Sequence, residues 1–239
     1  MKQLPLGVHP RANAVFASFA TGPNTEVVAA LKVPGRDPLW LWGSKGCGKT
    51  HLLQAVCAQA GERTAYFPLD RSMRLPPEAL SGYAQCRVLC VDDVDAVAGD
   101  LDWELALFRL FNEASELGCR LIFAAAAAPR QIGWRLEDWR SRAGACAVYH
   151  VRDLDEAGRA EAMHLRAKQL GLELPGETLD YLMKRMPRDL RSLFDILDEL
   201  DEASLVAQRR LTVPFIRDAL ERHASTEPSN RTTQKSAAS

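Results

Sequence analysis

The chain has 239 residues, 47% of them hydrophobic and 26% charged, enough for a packed core and a small second domain. Its 30 basic residues are offset by 31 acidic ones, and a formal charge of −1 gives no global attraction for a nucleic-acid backbone, so any DNA is expected to be met indirectly. No apolar run has the length of a membrane span and the N-terminus lacks a signal-peptide core, which points to a cytoplasmic protein with no membrane partner.

Residues 1–12 hold two prolines and a glycine with no helical or strand period, and are expected to form an extended tail. Gln3, Leu4 and Leu6 place an amide and two apolar side chains on this tail, a combination that can dock in a partner's apolar pocket. The α/β part is expected to run from 13 to 152. Phe16 and Phe19 are either core residues or a lid over an adenine ring, and Gly22-Pro23-Asn24 is a turn that can cap a helix bearing Val27, Val28 and Leu31.

Leu39-Trp40-Leu41-Trp42 then reads as a buried strand, and residues 43–50 fit G-x-x-x-x-G-K-[ST] ahead of a helical pattern at Leu52, Leu53 and Val56. Gly43, Gly46 and Gly48 let the backbone approach an oxyanion, with the amides of the loop, Cys47 and His51 included, turned toward phosphate. Lys49 is placed to reach the outer phosphates of ADP or ATP and Thr50 to ligate Mg²⁺. Residues 64–69 give a second strand, followed by a broken connection with a short helix around 76–80.

Val88-Leu89-Cys90-Val91 ends in Asp92 and Asp93, which puts carboxylates at the C-terminal edge of a parallel strand, where the phosphate loop also lies. Asp92 is suited to hold Mg²⁺ and Asp93 to orient or deprotonate a water. A helix over 102–117 ends near Gly118, and the strand from Arg120 runs into five alanines. Residues 136–142 read as a helix that brings Arg140 and Arg142 near a last strand, 147–151. From 153 the pattern is helical, with starts at Asp155, Thr178 and Asp189 and a short final helix from 212, so that 153–222 forms a helical domain and 223–239 a disordered tail. The six cysteines form no C-x-x-C pair, which suits reduced thiols.

Gly46-Cys47-Gly48-Lys49-Thr50-His51-Leu52-Leu53, the acids of Val91-Asp92-Asp93-Val94 and the helical C-terminal part together resemble the DnaA/Hda family of AAA+ proteins. The similarity is greatest to its Hda branch, which lacks the initiator's helix-turn-helix domain. Gln3-Leu4-Pro5-Leu6 is similar to that branch's clamp-binding peptide, and Ala207-Gln208-Arg209-Arg210-Leu211-Thr212 to its lid. The resemblance implies an AAA+ sheet domain with a lid, binding of the DNA polymerase sliding clamp through Gln3, Leu4 and Leu6, and stimulation of ATP hydrolysis on the initiator DnaA. It also implies that Arg142 is an arginine finger acting in trans and that Arg188 touches the chain's own nucleotide. A shift in helix register would exchange Arg142 with Arg140. Ala126 falls where the family carries a polar sensor, so hydrolysis by the chain itself is expected to be weak. The alternatives are an autonomous AAA+ ATPase that loads or remodels a replication protein and a scaffold that only recruits a partner to the clamp; a homo-oligomer is compatible with each.

Overall fold

A computed structural model describes residues 14–69, 75–185 and 189–207, together with 214 and 217; side chains of 202–207 are left out. The expected tail at 1–12, part of the connection after 69, Arg188, most of the final helix and the tail at 223–239 lie outside the described residues. Two compact units divide the chain at Leu165 and Arg166.

Five strands, β1 (Leu39–Trp42), β2 (Thr64–Pro68), β3 (Val88–Asp92), β4 (Arg120–Ala125) and β5 (Ala147–His150), form one sheet in the order β2-β3-β4-β1-β5. Every pairing is parallel, with Trp42 opposite Ala125 on one side and His150 on the other. Helix α1 (Thr25–Lys32) precedes β1, and α2 (Lys49–Ala60), α3 (Leu101–Leu117) and α4 (Glu137–Gly144) run between successive strands. The period-two alternation of strand side chains divides the core between the two faces. Trp40, Leu89, Val91 and Phe123 pack toward Leu107 and Phe111 of α3 and Trp139 of α4. Leu39, Leu41, Cys90 and Ile122 pack toward Val27 and Leu31 of α1 and Leu52, Leu53 and Val56 of α2.

The helix ends follow local chemistry. The Asp100 carboxylate accepts from the amides of Asp102 and Trp103 at the start of α3, and Gly118, at φ 72°, ends that helix. Arg120 reaches back from β4 to the carbonyls of Ala30 (3.0 Å), Leu31 (3.4 Å) and Val33 (2.9 Å), placing a cation at the C-terminal end of α1. Asn24 does not cap α1. Its amide instead clasps the backbone of Arg152, donating to the carbonyl at 3.0 Å and accepting from the amide at 2.8 Å.

Helix α5 (Glu156–Leu170) crosses from the first unit into the second, which contains α6 (Gly176–Arg185) and α7 (Leu190–Ala207). Thr178 lies inside α6 rather than at its cap, because the Pro175 carbonyl accepts from both Thr178 and Leu179 and the helix starts at Gly176. Asp189 caps α7 through the Ser192 amide at 2.9 Å. Leu179, Leu182, Leu193, Ile196, Leu197 and Leu200 are buried, and Arg166 grips both carboxylate oxygens of Asp198 at 2.6 and 2.8 Å. No helix among the described residues is long and apolar enough to cross a membrane.

Candidate nucleotide site and exposed arginine

The phosphate loop leaves β1 under close restraint. A Cβ on Gly43 would stand 2.3 Å from the Val151 carbonyl oxygen, and one on Gly48, at φ 103°, would stand 2.7 Å from the Phe19 ring. Only glycine fits either position. Helix α2 begins at Lys49, whose buried ammonium donates to the carbonyls of Gly43 (2.7 Å) and Ser44 (2.8 Å), so the loop curls around its own cation. Gly46, at φ 88°, forms the exposed turn of the loop. Cys47 lies buried beneath it; burial raises its thiol pKa, outweighing the opposing pull of Lys49, and the sulfur stays protonated at neutral pH. The Ser44 hydroxyl donates to Asp153 at 2.5 Å, tying the loop to the chain that follows β5.

The strand-end acids meet this loop. Asp92, 1% exposed, accepts through Oδ2 from the Thr50 hydroxyl (2.6 Å) and the Tyr66 hydroxyl (2.8 Å), and through Oδ1 from the Asp93 amide (3.0 Å). Burial, followed by the Asp92 charge, pushes the Tyr66 phenol well above its ordinary range, so it remains a donor. Asp93 is exposed and left-handed, at φ 54°. Next to it Asp95 accepts from the Ala126 amide at 3.1 Å, which sets a carboxylate at the end of β4 where the sequence offers only alanines. Because Trp42 pairs with Ala125, Gly43 and Ala126 leave adjacent strand ends.

The pair Thr50 and Asp92 supplies oxygen donors only, the chemistry a Mg²⁺ ion requires. Among the described residues no group of three or more His, Cys, Asp or Glu side chains is arranged to hold a metal, so such an ion would complete its shell with phosphate oxygens and water. The His51 side chain points to residues 15–19 rather than the loop. Its Nε2 donates to the Val15 carbonyl at 3.0 Å and lies 3.3 Å from the Ser18 hydroxyl, with the Phe19 ring 5.7 Å away.

The two arginines of α4 differ in surroundings. Arg140 forms an ion pair with Glu137. Arg142, exposed on the last turn, carries its guanidinium 5.9 Å above the centroid of the Phe111 ring and makes no salt bridge among the described residues. Arg130, Glu137, Arg140 and Ser141 line a surface cleft of about 500 Å³ on this side of the molecule. Arg188 and the candidate docking residues Gln3, Leu4 and Leu6 lie outside the described residues.

The fold is similar to that of solved structures. The chain is similar to domain III of the Thermotoga maritima replication initiation protein DnaA, at 23% identity and a TM-score of 0.74, covering 89% of this chain and 97% of that one. It is also similar to AMPPCP-bound DnaA from Aquifex aeolicus, at 25% identity and a TM-score of 0.61, covering 84% of this chain and 63% of that longer one. The Thermotoga maritima RuvB branch migration motor shares the fold at 14% identity and a TM-score of 0.59, covering 78% of this chain and 61% of that one. A family model described as RNA helicase matches residues 39–116, the span from β1 through α3 that carries the phosphate loop and strand-end acids. Residues 155–220 match the model described as the lid domain of Hda.

Residues 155–220 thus resemble the Hda lid, and the chain shares the fold of the DnaA structures. Three features are not evident from the sequence: Tyr66 on Asp92, Asp95 at the Ala126 amide, and Glu104 at the Gly99 amide.

Proposed function

We propose that this protein is a DnaA/Hda-family negative regulator of replication initiation that promotes hydrolysis of ATP bound to the initiator DnaA. It does so while tethered to the DNA-loaded sliding clamp through Gln3, Leu4 and Leu6. The observation that carries this reading is Arg142: an exposed guanidinium propped on an aromatic ring with no carboxylate partner among the described residues, while Arg140 is taken by Glu137. A planar, permanently charged fork presented in this way suits a phosphoryl group held by a neighbouring molecule, and such a finger accelerates hydrolysis by roughly 10³ to 10⁵.

In the chain's own site, Lys49, Thr50 and the loop amides are proposed to bind ADP or ATP, supported by the relatives whose structures hold AMPPCP. Mg²⁺ at Thr50 and Asp92 would neutralise phosphate charge. Arg188 is proposed to touch the same nucleotide. With Ala126 lacking a side-chain donor and Asp95 close by, a γ-phosphate gains no stabilising partner at the end of β4. The chain's own turnover is therefore slow, and DNA is met only through the clamp. A second reading, an autonomous ATPase, is favoured by the Thr50–Asp92 pair at 2.6 Å.

The test loads labelled ATP on DnaA, adds clamps assembled on DNA, and follows ADP release with wild type, Arg142→Ala and Leu4→Ala/Leu6→Ala. Acceleration by wild type and loss in both variants supports the regulator. Steady turnover by the chain alone, abolished by Lys49→Ala, with no effect on DnaA, supports the autonomous enzyme.

A further inference from the structure

Glu104 is an acid on an apolar helix face and is fully buried, a placement that costs several kcal/mol unless the carboxylate is saturated with hydrogen bonds. It is saturated, from two directions. Oε1 accepts from the Gly99 amide at 2.8 Å, while Oε2 accepts from Arg135 (2.8 Å) and Leu136 (2.6 Å), the two amides at the entry of α4. The carboxylate thus does for α4 what an N-cap side chain does, but from another helix.

Seven residues further along α3, on the same face, the Phe111 ring lies beneath the Arg142 guanidinium. The rise from Glu104 to Phe111 is about 10 Å and that from Leu136 to Arg142 about 9 Å at 1.5 Å per residue. The two helices are therefore matched in length between their contacts, and α4 is held by α3 at its first and last turns. Between these points Trp139, fully buried, meets Phe111 edge to face at 6.4 Å and fixes the rotation of α4.

We infer that Glu104 and Phe111 are positioning residues for Arg142: α3 sets where the guanidinium stands, and with it how well the initiator's phosphate is met. This rests on the trans-acting role proposed for Arg142. Glu104→Gln is the sharpest probe, because its amide has one acceptor oxygen for amides arriving at both ends, so at least one N–H must face an NH₂ group. A misplacement of about 1 Å can cost on the order of 100-fold in rate.

The experiment measures clamp-dependent ADP formation on DnaA at saturating concentrations of the full chain, for Glu104→Gln, Phe111→Leu, Arg142→Ala and each of the first two combined with Arg142→Ala. The expected result is a maximal rate roughly 10- to 100-fold lower for Glu104→Gln and about 2- to 5-fold lower for Phe111→Leu. The concentration giving half-maximal stimulation stays unchanged, and neither variant has a further effect once Arg142 is gone. Reductions that persist undiminished in the Arg142→Ala background, or a shift in half-maximal concentration at full maximal rate, would overturn the inference. Should Glu104→Gln fail to fold, a full rate for Phe111→Leu would overturn it equally. An Arg142→Ala chain as active as wild type would instead sink the trans-acting reading itself.

Discussion

Replacing Tyr66 by Phe removes one atom from the buried side of Asp92 and leaves the ring in place. The carboxylate then keeps the Thr50 hydroxyl on Oδ2 and the Asp93 amide on Oδ1, but loses its 2.8 Å bond from the phenol. A hydrogen bond to a charged acceptor contributes about 1.5–3 kcal/mol, and the loss falls at the upper part of that range where water cannot enter, as at a residue 1% exposed. Thr50→Val removes the other donor to the same oxygen, but on the exposed side of the site, where water can replace the hydroxyl; a cost below about 1 kcal/mol is expected. Urea unfolding followed by tryptophan fluorescence measures both, since all five tryptophans, 40, 42, 103, 134 and 139, lie in the sheet-containing unit. The denaturant slope should stay constant while the midpoint moves. Nucleotide affinity measured with Mg²⁺ and with a chelator should respond in the opposite order, Thr50→Val abolishing the Mg²⁺ effect and Tyr66→Phe preserving it. A Tyr66→Phe loss below about 0.5 kcal/mol, or one no larger than that of Thr50→Val, would refute the account of Asp92 as held from within by the phenol.

Gly43→Ala should cost more than about 3 kcal/mol or prevent soluble expression, because the new methyl would meet the Val151 carbonyl oxygen, a backbone atom that cannot yield locally; thermal unfolding checks this. Trp139→Ala should lose about 3–5 kcal/mol by urea unfolding, since the ring is fully buried among Phe111, Phe123 and Trp134. Burial pushes the thiols of Cys119 and Cys146 up to about 12 from 9.0. The folded chain therefore holds protons that the unfolded chain releases as pH rises above 9, and stability should be level below about pH 8 and fall between pH 9 and 12. Urea midpoints across that range test the sign, and Cys146→Ala should flatten part of the slope.

Much of the nucleotide site was legible because its chemistry is local. Gly43 to Thr50 is a continuous segment between an apolar run and a helical pattern, and Asp92 stands at the end of another run, so strand–turn–helix logic alone brings Thr50 and Asp92 to one sheet edge. Tyr66 was hidden because its role depends on register: Pro68 pairs with Asp92, and only that alignment sets the phenol two residues back within reach. Glu104 did leave a trace, an acid three and seven residues before Leu107 and Phe111 on an otherwise apolar stripe, but its partners sit 31 and 32 residues away in a loop without periodicity. Asn24 misled for a related reason. Its type and place suited a helix cap, and a partner 128 residues distant took both ends of its amide. Local propensity offered the cap; tertiary geometry offered two bonds at once.

The three residues after β5 bear on where this chain can be divided. The Val151 amide donates to the Trp42 carbonyl at 2.7 Å, Arg152 is clasped by Asn24, and Asp153 receives the Ser44 hydroxyl, so each successive residue is sewn to a different part of the phosphate-loop region. A fragment ending at His150, where the last strand stops, would discard all three stitches and leave the buried amide of Asn24 without its backbone partner. A nucleotide-binding fragment should therefore be cut no earlier than Leu154, and a protease site or inserted tag is better tolerated at the exposed Gly171 turn between α5 and α6 than anywhere in that seam.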